Sequence, residues 1–567
     1  MDKSNLSESD LCDKFIRPAM EKAGWNGLDQ IFREYPLRAG RVVVRGNKAY
    51  RDKSTVLRAD YALFYKANIP LAVVEAKDNK HAVGAGMGQA LNYAQLLDVP
   101  FSFSSNGDGF VFRDATLATG VLEQNLTLEE FPSPEELWNR YCAWKGWSAE
   151  ESRVAGFDYA PNKTPRYYQL NAVNRAVEAI AAGQDRVLLV MATGTGKTYT
   201  AFQIIWRLWK SGAKKRILFL ADRNILIDQT MVNDFRPFKG AMAKLSPNAK
   251  GVERVDAHGT VSVEDVDLAV NKTTKLVDKS YEIYLSLYQA VTGTDEERNI
   301  YKQFSPDFFD LIVVDECHRG SAAEDSAWRD ILTYFASATQ IGLTATPNRG
   351  DGKGLREVFS NVADQIRLGE LIRSGHLVSP RTFVIDVGTR DALGGVRRLA
   401  EDYDMNAVAS IMNTTPVNAA VVQHWQAHAA RRKTIAFAAT VDHAYAVCHA
   451  FIAAGVKAAV VHGEMTPADR QATLTSYETG DVTVLVNVAV LTEGYDYTPT
   501  SCIVLLRPSS YKSTLIQMIG RGLRVVDPAE HPGVIKTDCV VLDFGTASLV
   551  HGSLEQEVDL DGFEGNG

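Results

Sequence analysis

Short apolar runs alternate with longer amphipathic stretches through most of the 567-residue chain, and the pattern changes near residue 164. Beyond it, Arg186-Val-Leu-Leu-Val-Met191 and Asp310-Leu-Ile-Val-Val314 keep no polar position to turn toward water, as strands covered on both faces require. Helical stretches such as Tyr199–Trp209 follow them, so a parallel sheet covered by helices is expected twice, over 164–374 and 375–553. Residues 1–147 read differently. Helices are expected over Leu11–Ala23 and Ala85–Leu97 with several strand-like runs between them, and Asn106-Gly107 marks a hairpin joining Phe101-Ser-Phe103 to Phe110-Val-Phe112. A polar connector is expected at 148–163, a surface insertion at Met242–Asp278, and an acidic, glycine-containing tail at 554–567.

Composition narrows the picture. The length allows about three or four domains, and 46% hydrophobic with 23% charged residues is ordinary for a globular protein. The first ten residues are polar and no apolar run approaches the roughly 18 residues that cross a bilayer, so a cytoplasmic protein is expected. Six scattered cysteines argue against a zinc ribbon or a disulfide framework. A net charge of −8 argues against coating nucleic acid through bulk electrostatics; contact with DNA would need local patches and backbone amides.

Three motifs carry candidate chemistry. In Met191-Ala-Thr-Gly-Thr-Gly-Lys-Thr198 a strand runs into a glycine-rich turn and then a helix. Gly194 and Gly196, with Thr195 between them, permit a turn whose N–H groups face a β-phosphate. Lys197 reaches the β- and γ-phosphates, and the Thr198 hydroxyl ligates Mg²⁺. Met191 stands where the usual pattern has Gly or Ala, a position that packs under the loop. Asp315-Glu-Cys-His318 follows four apolar residues and brings two carboxylates to a strand's carboxyl end: Asp315 for Mg²⁺ through water, Glu316 for the attacking water. Gln517-Met-Ile-Gly-Arg-Gly-Leu-Arg524 reads as the first turns of a helix after a strand at Ile503–Leu506. Arg521 or Arg524, carried to the γ-phosphate, would couple closure of two lobes to hydrolysis. Taken alone, the second and third motifs also read as a solvated acidic turn and a solvated arginine face.

With Tyr168-Gln169, Leu218-Phe-Leu-Ala-Asp-Arg223, Ser286-Leu-Tyr-Gln289, Thr344-Ala-Thr-Pro347, Phe437-Ala-Ala439 and Leu491-Thr-Glu-Gly-Tyr-Asp496 in order, Thr164 to Arg524 resembles a superfamily 2 helicase motor. The resemblance implies two RecA-like lobes using ATP and Mg²⁺, with Gln169 at the adenine. Thr344 and Thr346 would relay between nucleotide and DNA, and Gly494 and Asp496 would line the interlobe cleft.

Within 1–147, Arg58-Ala-Asp-Tyr-Ala-Leu-Phe64 and Leu71-Ala-Val-Val-Glu-Ala-Lys77 are joined by Tyr65–Pro70. A symmetric hairpin puts Asp60 opposite Glu75, with Lys77 on the face of Glu75. Facing carboxylates repel unless a cation lies between them, and Mg²⁺ is that cation; Lys77 would orient the metal-bound water or stabilise charge on the phosphate being cut. An edge hairpin with a surface salt bridge is the other reading. The arrangement resembles PD-(D/E)xK nucleases, with Ala59 where Pro is usual. Gln89 and Tyr93, four apart on a helix, match the Gln-x-x-x-Tyr element of restriction and recombination nucleases. Glu8, ahead of the helix ending in Ala23-Gly-Trp25, matches their extra acidic metal ligand.

Nuclease first and tandem motor second is the layout of R subunits of type I restriction endonucleases, which this α/β chain resembles over nearly its whole length. That implies ATP-driven movement of double-stranded DNA, cutting away from a recognition site, and methyltransferase and specificity subunits as partners. Such subunits usually continue into a helical region that docks on the methyltransferase core. About 40 residues follow Arg524, so that region is expected to be missing through truncation or natural brevity. Two other readings stand beside this one: a DNA translocase or remodeller with a non-catalytic N-terminal module, and a nucleotide-dependent sensor. A type III subunit fits less well, because there the nuclease follows the motor.

Overall fold

The structure is a computed structural model describing residues 3–552 except 4, 40–41, 46–47, 52–55, 118–121, 161–163, 193, 222–233, 246–251, 256–260, 265–266, 272–273, 275, 288–298, 316, 318–321, 346–354, 356–357, 400–401, 492–494, 496 and 511. The expected tail lies outside these residues. No helix among the described residues is long and apolar enough to cross a membrane, and the six cysteines are buried and unbridged.

The N-terminal sheet is mixed. Its strands are β1 (Ile31–Ala39), β4 (Val56–Lys66), β5 (Ile69–Ala76), β6 (Phe101–Ser105), β7 (Phe110–Asp114) and β8 (Glu123–Leu126), in that spatial order. Between β1 and β4 the chain forms a separate two-stranded ribbon, β2 (Val42–Arg45) and β3 (Lys48–Arg51). The expected first helix is α1 (Glu8–Leu11), a π turn at Cys12–Ile16 and α2 (Arg17–Lys22). It begins ahead of Leu11 because Ser7 and Asp10 form a capping box. Only β5 and β6 run parallel, and the crossover between them holds α3 (Met87–Leu97), close to its expected span. The Asn106-Gly107 hairpin forms as expected between β6 and β7, with Gly107 at φ +86°.

The second sheet has seven strands: β9 (Arg186–Met191), β10 (Ile217–Ala221), β11 (Met242–Lys244), β14 (Ile283–Leu287), β15 (Leu311–Asp315), β16 (Thr339–Thr344) and β17 (Asn361–Ile366). They are ordered β11-β14-β10-β15-β16-β9-β17, with every pairing parallel. The third has β18 (Ser379–Val384), β19 (Thr434–Phe437), β20 (Ala458–Val461), β21 (Val484–Asn487), β22 (Cys502–Leu505) and β23 (Asp538–Asp543), again all parallel. Each of these two sheets ends its strands on the motifs quoted above, the usual ligand edge of an open α/β sheet.

Two expectations change. The Met242–Asp278 stretch is not simply a surface insertion: β11 is an edge strand of the second sheet, with Met242, Ala243, Leu245, Ala269 and Val270 buried. Charged neighbours hid these few apolar positions, and among the described residues a short hairpin, β12 (Val252–Val255) with β13 (Val261–Glu264), stands apart from that sheet. After α4 (Pro134–Lys145), the polar connector at 148–163 contains α5 (Ala149–Ala155), opened by a Ser148–Glu151 capping box. It is stitched to the helices that follow, α6 (Tyr167–Ala181) and α7 (Lys197–Lys210). Buried Arg207 donates to Ala155 O and to Asn174 Oδ1, and Gln203 exchanges bonds with both backbone groups of Ala160. Helix α6 also faces the N-terminal sheet. Asn171 Nδ2 donates to Leu96 O at 2.8 Å, and Arg175 bridges Asp98, just past α3, and Asp364 on β17, each at 2.6 Å.

Candidate functional site: an acidic centre and a nucleotide cleft

The acidic centre forms where β4 enters the N-terminal sheet and β5 leaves it. Pairing of Tyr61 with Val74, Ala62 with Val73 and Leu63 with Ala72 is the expected symmetric register, and one step further it sets Asp60 opposite Glu75. The carboxylates interlock with the backbone: Asp60 N–H donates to Glu75 Oε1 at 3.1 Å, and Ala76 N–H donates to Asp60 Oδ2 at 2.7 Å. Glu75 is 1% exposed. Burial, and after it the charge of Asp60, pushes its carboxyl up to about 9. At neutral pH Glu75 therefore holds a proton where a cation could sit.

Lys77 continues from β5, its N–H donating to Ser105 O, and its Nζ donates to Gln89 Oε1 at 3.2 Å. Gln89 Nε2 in turn donates to Tyr93 Oη at 2.8 Å. Burial raises Tyr93, the hydrogen bond from Gln89 lowers it, and the charges of Glu75 and Asp60 raise it further. The structure thus gathers Asp60, Glu75, Lys77, Gln89 and Tyr93. Glu8 stays apart. It is exposed on α1, and one turn on, burial and then the charge of Asp60 push the Cys12 thiol up to about 12. Among the described residues no three Asp, Glu, His or Cys side chains lie close enough together to hold a metal ion.

Sequence reasoning passed over what supports this centre. Ser104, fully buried on β6, accepts from Gly86 N–H at 2.9 Å and donates to Val83 O at 2.7 Å. A Cβ on Gly86 would stand 3.1 Å from Glu75 Cβ. The glycine lets this loop lie on Glu75, and the run Gly84-Ala-Gly-Met-Gly88 was the available signal.

The nucleotide cleft lies between the second and third sheets. Gly194 and Gly196 have φ of +86° and +83°, and Gly196 caps α7, whose first residues are Lys197 and Thr198. Thr195 is buried, its hydroxyl donating to Ala192 O at 2.6 Å. Gln169 Oε1 accepts from Arg166 N–H at 2.9 Å and Nε2 donates to Thr195 O at 2.7 Å, so the amide ties α6 to the phosphate loop. A Cβ at Gly196 would collide with that amide. Asp315 is buried at the end of β15. Glu316, Asp496, Thr346 and Gly494 lie outside the described residues.

The arginine motif occupies the second half, not the first turns, of a helix spanning Lys512–Leu523, with Arg521 in the last turn and Arg524 just past it. That helix starts soon after Pro508, earlier than the motif suggested. Its carboxyl end carries negative dipole potential that suits a cation. Arg521 Nη1 donates to Tyr495 O at 2.8 Å, inside its own lobe. Arg524 reaches across: a Cβ on Gly194 would lie 3.1 Å from its Nε. Burial, helped by the charge of Arg166, lowers Arg524 to about 10. Lys536, which the sequence did not single out, is buried, donates to Thr498 O at 2.7 Å, and is lowered by burial to about 7. Arg521 and Lys536 together pin the chain at Tyr495 and Thr498, beside the Leu491–Asp496 motif.

This architecture is that of a two-lobed helicase-type motor carrying an additional N-terminal α/β domain. In agreement, residues 162–349 match the family described as "Type III restriction enzyme, res subunit", and residues 417–526 match "Helicase conserved C-terminal domain". Over 459 residues the chain is 48% identical to the type I restriction enzyme EcoAI endonuclease subunit of Escherichia coli, covering 78% of this chain and 53% of that protein. The EcoKI endonuclease subunit of Escherichia coli K12 is 27% identical over 432 residues, covering 60% and 33%. A fragment structure described as an HsdR subunit of a type I restriction enzyme from Vibrio vulnificus YJ016 superposes with a TM-score of 0.73 at 31% identity, covering 99% of this chain and 96% of that one. The chain belongs to the HsdR family, the R subunits of type I restriction enzymes. It spans about half the length of the EcoAI subunit and a third of the EcoKI subunit.

Proposed function

We propose that this chain is the ATP-driven DNA motor and Mg²⁺-dependent endonuclease of a type I restriction-modification complex. It would act with methyltransferase and specificity subunits and cut double-stranded DNA away from the recognition site. The observation that carries the nuclease half is the convergence of Asp60, Glu75, Lys77 and Gln89 at one end of one sheet. A divalent cation fits the donor set: two carboxylates stand side by side, one of them buried. Such an ion would neutralise the pair and lower the pKa of a bound water. The chain's own part is to give up the Glu75 proton, to hold Lys77 through Gln89, and to aim the Lys77 ammonium at charge developing on the phosphate. In the motor, the Gly194–Gly196 turn and Lys197 would hold the phosphates, Thr198 and Asp315 the Mg²⁺ ion, and Arg524 would sense the γ-phosphate across the cleft.

The test is reconstitution with methyltransferase and specificity subunits on circular plasmid. ATP-dependent cleavage that disappears in Glu75→Ala while ATP hydrolysis continues is the expected result. ATP hydrolysis and movement without cleavage by the unmodified complex would leave the second reading, a translocase with a non-catalytic N-terminal module.

A further inference from the structure

The strand that carries Asp60 also carries a cation that the chemistry above leaves unused. On β4, Arg58 precedes Asp60 by two residues, so the two share a face about 7 Å apart along the strand. Ala59 and Tyr61, which alternate with them, are fully buried, whereas the Arg58 side chain is 56% exposed. Lys77 follows Glu75 by two residues, and β5 runs antiparallel to β4. Arg58 and Lys77 therefore lie at the same end of the sheet, each one pleat beyond a carboxylate.

Arg58 rests against Glu34 of β1. Its Nη1 lies 3.6 Å from Glu34 Oε2, longer than a hydrogen bond, and the Glu34 side chain is 59% exposed. An ion pair this open to water contributes little, so a phosphate can draw the guanidinium away at small cost. By contrast, Arg33 donates hydrogen bonds to Asp13 and to Ser9. Glu34 is also where β1 departs from regular pairing. Arg33 pairs with Tyr61 and Tyr35 with Ala59, which puts Glu34 across from Asp60, and there the backbone takes φ +52°. A residue with a side chain is strained in that region, and such strain gathers at active sites and ligand clamps. Like charges directly opposite each other repel, and Arg58 is the cation at hand for this pair.

We propose that Arg58 is a further catalytic residue of the nuclease centre, which exchanges Glu34 for a non-bridging oxygen of the DNA phosphate held at Asp60 and Glu75; this rests on the endonuclease reading. A phosphodiester has to approach two carboxylates, and its negative charge grows as it is cut. A second cation fixed on the same face as Lys77 opposes that charge throughout. The guanidinium is suited to the task because its planar fork matches phosphate oxygens in pairs. The competing reading is a surface salt bridge with no part in cutting. It makes Arg58 and Glu34 interchangeable, since removing either partner breaks it.

The experiment compares Arg58→Ala, Arg58→Lys and Glu34→Gln, each in the full chain reconstituted with methyltransferase and specificity subunits, with thermal melting to verify folding. Plasmid cleavage, ATP hydrolysis and displacement of a third strand are followed together. Arg58→Ala is expected to cut about 10²-fold more slowly with hydrolysis and displacement unchanged. Arg58→Lys, which keeps the charge and loses the fork, cuts at a rate between the two. Glu34→Gln breaks the same ion pair and yet cuts within about twofold of the parental rate. Parental cleavage by Arg58→Ala overturns the proposal, and so does an equal loss in Arg58→Ala and Glu34→Gln; either result leaves the endonuclease reading standing. A parental complex that hydrolyses ATP and never cuts removes that reading and the role of Arg58 with it.

Discussion

The acidic centre and the nucleotide cleft are both built around carboxylates at strand ends, yet they are assembled differently. Asp60 and Glu75 stand fifteen residues apart on one hairpin, with Lys77 and Gln89 close behind. The cleft needs Gly194 from one lobe and Arg524 from the other. A centre closed by a single hairpin is fixed once its sheet folds and can be regulated only by what is brought to it. A cleft closed by two lobes changes with their separation, and this makes it suited to a motor cycle.

The sharpest way to break this comparison is a pair of substitutions. Lys197→Ala should lower ATP hydrolysis by about 10³-fold and stop plasmid cleavage with it, whereas Glu75→Ala should stop cleavage and leave hydrolysis within about twofold. Loss of hydrolysis in Glu75→Ala, measured by phosphate release, would mean that the two centres are one. Next in size is Arg524→Ala, expected to reduce kcat for ATP by about 10²–10³-fold with a small change in nucleotide affinity, because its contribution depends on lobe closure. An equal loss of affinity and turnover would place Arg524 in ground-state binding.

A third prediction concerns protons. Folding raises Glu75 from the ordinary carboxylate range to about 9, so the folded chain binds this proton more tightly than the unfolded one. The stability it contributes is fully present at acid pH and is lost as pH rises toward 9. Glu75→Gln should therefore stabilise the N-terminal domain at neutral and higher pH, by about 1–3 kcal/mol, while abolishing cleavage. Magnesium binding without nucleotide should tighten with pH over the same window and release a proton, read by calorimetry in buffers of different ionisation enthalpy. A pH-independent affinity would contradict a protonated Glu75. The smallest effect is expected from Arg175→Ala, which removes ion pairs to Asp98 and Asp364; the first is half-exposed, the second buried. A loss of about 1–2 kcal/mol is expected, seen as faster amide exchange in α3 and α6.

What the sequence made legible was local. The Asp60–Glu75 register followed from strand periodicity and a short connection, the Gln89–Tyr93 pair from helical spacing, and the phosphate loop from its glycines and flanking strand. What escaped depended on distant partners. The bond from Gln169 to Thr195 depends on how α6 packs against the phosphate loop, and Glu8 is exposed on α1 and joins no group of three possible metal ligands among the described residues. The 148–163 connector folds because Arg207 and Gln203 on α7 satisfy its carbonyls and amide. Polar composition alone gave it no reason to be structured.

Helix α6 has one further consequence. It receives the carboxyl end of α3 through Asn171 and Arg175 and grips the phosphate loop through Gln169, while apolar packing runs unbroken from the N-terminal sheet into both lobes. Excising the first domain by cutting in front of this helix would strip away its floor and leave a raw apolar wound. Swapping such cutting modules between motors, in a laboratory or over evolutionary time, is therefore expected to succeed only when α6 travels with them.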